Sequence, residues 1–66
     1  MGGHEPKALL MRVYGDLMQA KAFYGELSNQ TDDPIIQSWL NRMDERISDD
    51  VQWVRHVLRF RFGVSL

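Results

Sequence analysis

The chain has 66 residues, no cysteine, 44% hydrophobic residues and a formal net charge of −1. A chain of this length forms a single domain, 1–66, and the absence of cysteine excludes a disulfide framework and a thiolate metal site. A net charge near zero argues against general attraction to nucleic acids or anionic membranes, which grows with positive charge. Because so short a chain buries only about 60% of its unfolded surface, self-association is the remaining common means of stabilising it.

The charges are unevenly distributed along the chain. Residues 1–54 carry five basic and nine acidic side chains, a balance of −4, whereas residues 55–66 carry three arginines and no acidic residue, a balance of +3. This polarity would align two copies head to tail, or present a basic end to an acidic partner.

The sequence indicates no membrane segment. No apolar run approaches the ~18–20 residues that a membrane span requires. The first residues, MGGHEPK, lack the basic and apolar regions of a signal peptide. We therefore expect a cytoplasmic protein with no membrane partner.

A first helix is predicted over about 6–27. Pro6 suits the first turn of a helix, and apolar residues then recur at alternating spacings of three and four, which is the pattern of one helix face. Gly15 and Gly25 interrupt this helix, at up to ~1 kcal/mol each relative to alanine. We interpret them as places where another helix approaches closely, with a functional kink as the alternative. The recurring positions are Leu10, Val13, Leu17, Ala20, Tyr24 and Leu27.

A turn is predicted over 28–33, within the stretch SNQTDDP that ends at Pro34. Either Asp32 or Asp33 can cap a second helix that has Pro34 at its first position. So short a connection favours two antiparallel helices, a helical hairpin.

The second helix is predicted over about 34–61. Its apolar residues keep one face throughout: Ile36, Leu40, Met43, Ile47, Val51, Val54, Leu58 and Phe62. Ser48 and the two aspartates after it could instead begin a third helix, so a break there stays open. Gly63 is a stop signal. The alternation from Leu58 to Phe62 also resembles a strand, but we favour a helix that frays after Phe60.

The predicted fold is therefore an all-α antiparallel helical hairpin that dimerises into a four-helix bundle. A single hairpin would leave the outer apolar residues in water, namely Met11, Met18, Phe23, Trp39, Trp53 and Phe60, and a second hairpin would bury most of them. Core or dimer packing is assigned to Leu10, Val13, Leu17, Tyr24, Leu27, Ile36, Leu40, Met43, Ile47, Val51, Val54 and Leu58.

No catalytic or metal-binding pattern emerges, and no cofactor is expected. The stretch AFYGELSNQTDDPIIQSWL is loosely similar to the helix–turn–helix of ferritin-like proteins, but their Glu-x-x-His ligands do not follow: Ser48 lies three residues after Glu45, and Trp53 lies three residues before His56. The other histidine, His4, is at the opposite end of the sequence. No serine has a histidine at a recognised catalytic spacing. The acidic residues of the second helix fit a solvated face, with Asp44 beside Ser48 and Glu45 beside Arg42 or Asp49.

The basic stretch VRHVLRFRF, residues 54–62, is the candidate interaction site. Helical spacing places Arg55, His56 and Arg59 on one outward arc, while Arg61 falls among apolar positions, where it must extend towards solvent or the helix must already have ended. These cations also suit a helix C-terminus without any partner. The predicted partner-binding residues are Trp53, Arg55, His56, Arg59, Phe60 and Arg61.

Together these features favour a non-enzymatic homodimer that acts by protein–protein interaction, as an adaptor, an inhibitor or a regulatory module. The alternative is a small DNA- or RNA-binding regulator that uses the basic end of the second helix.

Overall fold

The computed structural model describes residues 5–66, which form two helices joined by a short turn. Helix α1 spans Pro6–Gln30 and helix α2 spans Pro34–Phe62. The two helices pack side by side, and the resulting molecule measures 48 × 23 × 15 Å. The predicted all-α helical hairpin is thus confirmed, and it is one helix layer thick.

Helix α1 continues three residues beyond its predicted end, to Gln30. Ser28, which we read as the start of the turn, donates its hydroxyl proton to the Gly25 carbonyl at 2.8 Å. This bond within the last turn of α1 satisfies the hydroxyl, so Ser28 does not compete with the helix. The turn is therefore reduced to Thr31, Asp32 and Asp33.

Helix α2 begins at a side-chain cap. One carboxylate oxygen of Asp33 accepts hydrogen bonds from the backbone N–H groups of Ile35 at 2.9 Å and Ile36 at 3.4 Å. Pro34 follows the cap, where its missing N–H is of no consequence. Of the two candidate caps, Asp33 is therefore the one used.

Helix α2 runs without a break through Ser48, so the three-helix alternative is wrong. The Ser48 hydroxyl does not cap a new helix, because it accepts a hydrogen bond of 2.8 Å from Lys21 of α1. At its other end α2 reaches Phe62 and stops at Gly63, whose left-handed backbone (φ 67°, ψ 25°) directs its N–H to the Leu58 carbonyl. The stop at Gly63 was predicted, whereas the fraying after Phe60 was not correct.

Among residues 5–66 the buried side chains all belong to α2, namely Leu40, Val51, Val54 and Leu58. Their counterparts on α1 are only half-buried. Of the other positions assigned to core or dimer packing, Leu10, Leu17, Tyr24, Leu27, Met43 and Ile47 are half-buried, whereas Val13 and Ile36 are exposed. One hairpin thus buries a narrow ridge and leaves part of the predicted core open to solvent.

The expected close approach at the two glycines of α1 is wrong within the hairpin. A Cβ atom built on Gly15 or Gly25 would meet no atom within 4 Å. Both glycines lie in regular helix, with no positive φ among them. Neither packing nor backbone geometry in the hairpin requires glycine at these two positions.

Helix α2 is longer than α1 by four residues, 29 against 25. At ~1.5 Å per residue the difference is about 6 Å, less than the roughly 9 Å that the predicted bounds gave. The reason is the longer α1. The basic end of α2 therefore extends about one helical turn, rather than almost two, beyond what α1 can cover.

Candidate interaction surfaces

The hairpin has two broad faces of opposite character. Residues seven apart lie on the same side of an α-helix, and residues five apart are separated by roughly 140°. Trp39, which contacts Tyr24 of α1, and Asp44, which contacts Lys21, are five apart and so lie on opposite sides of the helix–helix contact. We call the two sides the apolar face and the polar face.

The polar face contains a bridge between the helices. The Lys21 ammonium donates to both carboxylate oxygens of Asp44, at 3.2 and 3.3 Å, and to the Ser48 hydroxyl at 2.8 Å. The side chains of Lys21 and Asp44 keep 40% and 34% of their exposure. Solvent therefore screens the pair, and its contribution to stability is modest.

A second polar bridge lies closer to the far ends of the helices. Arg55 donates from Nη2 to the Tyr14 hydroxyl at 3.1 Å, and its guanidinium carbon lies 5.9 Å from the centre of the Tyr14 ring. The Nε atom of Arg55 is buried and has no hydrogen-bond partner. Arg55 is thus half-buried and bound to α1, so the outward orientation that helical spacing suggested for it is wrong.

The apolar face carries the large exposed side chains. Ile35, Trp53 and Phe60 keep 80%, 62% and 71% of their exposure. One aromatic contact crosses between the helices here, because the Tyr24 ring lies 6.3 Å from that of Trp39. Within α1 the Tyr24 ring also lies 5.9 Å from that of Phe23. By their spacing the face comprises Leu9, Val13 and Phe23 of α1 and Ile35, Trp39, Trp53 and Phe60 of α2.

Two exposed methionines lie on the other side of α1. Met11 and Met18 share the side of Tyr14 and Lys21, because Met11 lies three residues before Tyr14 and Met18 lies three residues before Lys21. All six outer apolar residues expected to be exposed in a single hairpin, including these two methionines, are exposed.

The basic end of α2 forms a shallow groove along one edge of the hairpin. The groove has a volume of about 230 Å³ and is lined by Gln52, Arg55, His56, Arg59 and Phe60. The His56 ring lies 4.4 Å from the Phe60 ring, and the Arg59 guanidinium lies 5.9 Å from the centre of the Phe60 ring. All five residues belong to α2, so α1 does not wall this groove.

The six predicted partner-binding residues therefore do not form one surface. Trp53 lies on the apolar face, while Arg55 is engaged with Tyr14. His56 and Arg59 line the groove, and Phe60 joins the groove to the apolar face. Arg61 is exposed within a continuous helix and places its guanidinium 5.9 Å from the centre of the Phe62 ring. Extension towards solvent, rather than an early helix end, thus resolves its position among apolar residues.

The acidic residues do not pair as their spacing suggested. Asp44 and Ser48 both bind Lys21, and in the stretch 5–66 no salt bridge joins Glu45 to Arg42. Within the same stretch no three His, Cys, Asp or Glu side chains come close enough to hold a metal ion. His4 lies outside the described residues.

Tyr14 and Lys21 are the residues whose role the sequence did not reveal. The apolar spacing of α1 assigned no contact to either residue. Their seven-residue spacing places both on one side of α1. The Tyr14 hydroxyl and the Lys21 ammonium on that side could have indicated polar contacts with the second helix. Which α2 residues they contact depends on how the two helices are aligned. That alignment is visible in the structure but not in the sequence of the three-residue turn.

Comparison with known proteins gives no relative. No protein-family model, curated protein or solved structure matches the chain. No helix within residues 5–66 has the length and apolar character needed to cross a membrane.

Proposed function

We propose that this protein is a homodimeric helical hairpin that acts by binding another protein, as an adaptor, an inhibitor or a regulatory module. The apolar face is the observation that supports it. Isolated exposed hydrophobic residues are ordinary, but several large exposed apolar side chains on one face of a small protein indicate an interaction site. Here Ile35, Trp53 and Phe60 are all more than half exposed, whereas four side chains of residues 5–66 are buried.

A role other than catalysis fits the polar contacts. Lys21 and Ser48 are 2.8 Å apart, a distance at which a lysine could activate a serine. A general base must, however, be free to accept a proton. Lys21 instead donates hydrogen bonds to both carboxylate oxygens of Asp44. The cluster therefore reads as a structural bridge between helices.

The surface for the second protein is the groove at the basic end of α2. Arginine and aromatic side chains are enriched at protein interfaces, and His56, Arg59 and Phe60 combine both kinds on an exposed edge. No acidic residue occurs in 55–66 to neutralise them. An acidic protein surface is the complementary partner.

Sedimentation equilibrium between about 1 and 100 μM tests the dimer. We expect a mass twice the 7.7 kDa of the chain. Trp53→Lys, on the apolar face, shifts the equilibrium towards monomer, whereas Met18→Lys, on the polar face, leaves it unchanged. A monomer throughout this range, or equal effects of both substitutions, contradicts the proposal.

Cross-linked complexes from the native host test the binding role. We expect a protein that is captured by the wild-type chain and lost with Arg59→Glu, while Arg42→Glu, a charge reversal outside the groove, retains it. Capture that does not respond to Arg59→Glu would exclude the groove.

A second candidate is a nucleic-acid-binding regulator. The observation in its favour is that Arg59 and Arg61 are exposed at an end of the molecule with no acidic neighbours in 55–66. It predicts an affinity for duplex DNA that falls steeply with salt. Fluorescence anisotropy that shows no binding at low salt excludes it.

A further inference from the structure

We infer that the apolar face is covered by a second copy of the chain in antiparallel orientation, with the turns of the two hairpins at opposite ends of the dimer. The inference rests on the proposed homodimer and adds the contact face and the relative direction of the copies. It places the acidic turn of each copy beside the basic end of α2 in the other.

The size of the apolar face suits a single second copy. The hairpin outline of 48 × 23 Å limits either face to about 1,100 Å², and a standard stable interface takes about 800 Å² from each partner. A face of this size supports a dimer if most of it is in contact. Partial overlap, or a short peptide on the face, would leave exposed tryptophan at one end or the other.

Two symmetric arrangements place the apolar faces together with the helices aligned. A two-fold axis between the layers can run along the helices, which brings both turns to the same end. It can also run across the helices, which brings the turns to opposite ends and stacks α2 on α2. Both contacts are self-complementary, as two-fold symmetry requires, so charge must decide between them.

The charges favour turns at opposite ends. The turn contains Asp32 and Asp33, whereas the far end of α2 contains Arg61, which does not line the groove. With the turns at the same end, each group would meet its own like-charged copy. With the turns at opposite ends, the aspartates of one copy lie towards Arg61 of the other, at both ends of the dimer, and Arg59 stays in the groove.

Four charged residues lie on this face by their spacing, and the same arrangement pairs two of them. Asp16 is seven residues from both Leu9 and Phe23, and Arg42 is seven from Ile35. Arg46 is seven residues from both Trp39 and Trp53, and Asp50 is eleven residues, about three helical turns, after Trp39. The midpoint of Pro34–Phe62 is position 48. When two α2 helices overlap fully and run antiparallel about that midpoint, Arg46 of each copy lies opposite Asp50 of the other. Two ion pairs then flank the centre of the dimer.

Distances between spin labels measure the orientation. The chain has no cysteine, so Gln30→Cys labels only the turn end of α1 and Asp49→Cys labels only the middle of α2. Both side chains are exposed. With the turns at opposite ends we expect a Gln30→Cys distance on the order of 40 Å, from ~1.5 Å of rise per residue. The Asp49→Cys distance is expected below about 30 Å, from interaxial distances of ~8–10 Å.

The outcomes separate the two proposals. A Gln30→Cys distance below about 20 Å, equal to a few interaxial spacings, together with dipolar coupling at Asp49→Cys, overturns the antiparallel orientation and leaves the homodimer standing. No dipolar coupling at either position overturns both.

Charge exchange provides an independent measurement. Arg46→Asp places like charges at the centre and should weaken dimerisation by roughly tenfold or more, and adding Asp50→Arg to the same chain should restore it. An intrahelical pair four residues apart changes an equilibrium by less than about threefold, so it cannot account for this recovery. If Arg46→Asp and Asp50→Arg together weaken dimerisation by the product of their separate effects, the inferred alignment is contradicted.

Discussion

Arg55 of α2 donates a hydrogen bond of 3.1 Å to the hydroxyl of Tyr14 of α1, across 41 residues of sequence. It is the most distant side-chain hydrogen bond in sequence among residues 5–66. The Nε of Arg55 is buried without a partner, so this arginine is held in place while one of its donors stays unsatisfied. A buried donor of that kind costs roughly 1–3 kcal/mol.

We expect Tyr14→Phe to destabilise the hairpin by about 0.5–1.5 kcal/mol, the usual net contribution of one hydrogen bond. The substitution keeps the aromatic ring and its contact with the Arg55 guanidinium, so the loss of stability measures the contribution of the hydroxyl group alone. Chemical denaturation followed by circular dichroism measures it, at one fixed protein concentration because self-association also changes the apparent stability.

The coupling between the two residues is separable from their other contacts. In an Arg55→Met background, the Tyr14→Phe substitution should have almost no effect, and the Arg55→Met change itself should cost little because it also removes the unsatisfied Nε. A double-mutant cycle gives the interaction directly. Equal effects of Tyr14→Phe in both backgrounds would mean that the hydrogen bond contributes nothing.

Asp33→Ala should lower the free energy of unfolding by about 1 kcal/mol, because two backbone N–H groups at the start of α2 lose their acceptor. Asp32→Ala is the matched control, since it removes the same charge from the neighbouring position and makes no cap. Thermal denaturation of the two variants side by side measures the difference. Similar losses for both would mean that net charge, rather than capping, is responsible.

Glycine-to-alanine substitutions should have opposite signs at two positions. Gly15→Ala should stabilise the chain by up to ~1 kcal/mol, because an alanine Cβ meets no atom there and glycine disfavours helix interiors. Gly63→Ala should destabilise it by about 1 kcal/mol, because its φ of 67° is unfavourable for a residue with a Cβ. Melting temperatures that change in the same direction contradict this interpretation of the cap.

Leu58→Ala should cost about 2–5 kcal/mol, the range for a leucine removed from a packed core, since Leu58 has no exposed surface. That loss can unfold so small a domain. Met18→Ala, at a side chain that is 40% exposed, is expected to cost less than about 1 kcal/mol. Denaturant midpoints compare the two, and a Met18→Ala loss as large as that of Leu58→Ala would place the core differently.

The hairpin could be predicted because its signals are local. Apolar spacing gave both helices, and the aspartates before Pro34 gave the start of α2. The wrong predictions, the early end of α1 and the possible break in α2, concern two serines whose hydroxyl groups have partners that the sequence does not specify. Ser28 bonds to its own helix and Ser48 to the other one, so two residues that elsewhere end or start helices do neither here.

The cross-helix contacts could not be predicted, because they depend on how the two helices are aligned. Helical spacing placed Arg55 on an outward arc, and it could not show that Tyr14 of α1 binds this arginine instead. The excess of apolar surface, in contrast, followed from composition and spacing alone, and the exposure of Trp53 and Phe60 agrees with it. Which protein binds the groove depends on a surface outside this chain.

The three-residue turn has a consequence for the rate and order of folding. The side-chain hydrogen bonds between the helices span 9 residues from Gln37 to Ser28, then 23 from Lys21 to Asp44, then 41 from Tyr14 to Arg55. Each contact, once made, shortens the loop that the next must close, and loop-closure entropy grows only slowly with length. Folding is therefore expected to start at the turn and spread outward, with the microsecond-to-millisecond relaxation of chains rich in local contacts. The helix ends farthest from the turn, including the basic groove, close last and open first.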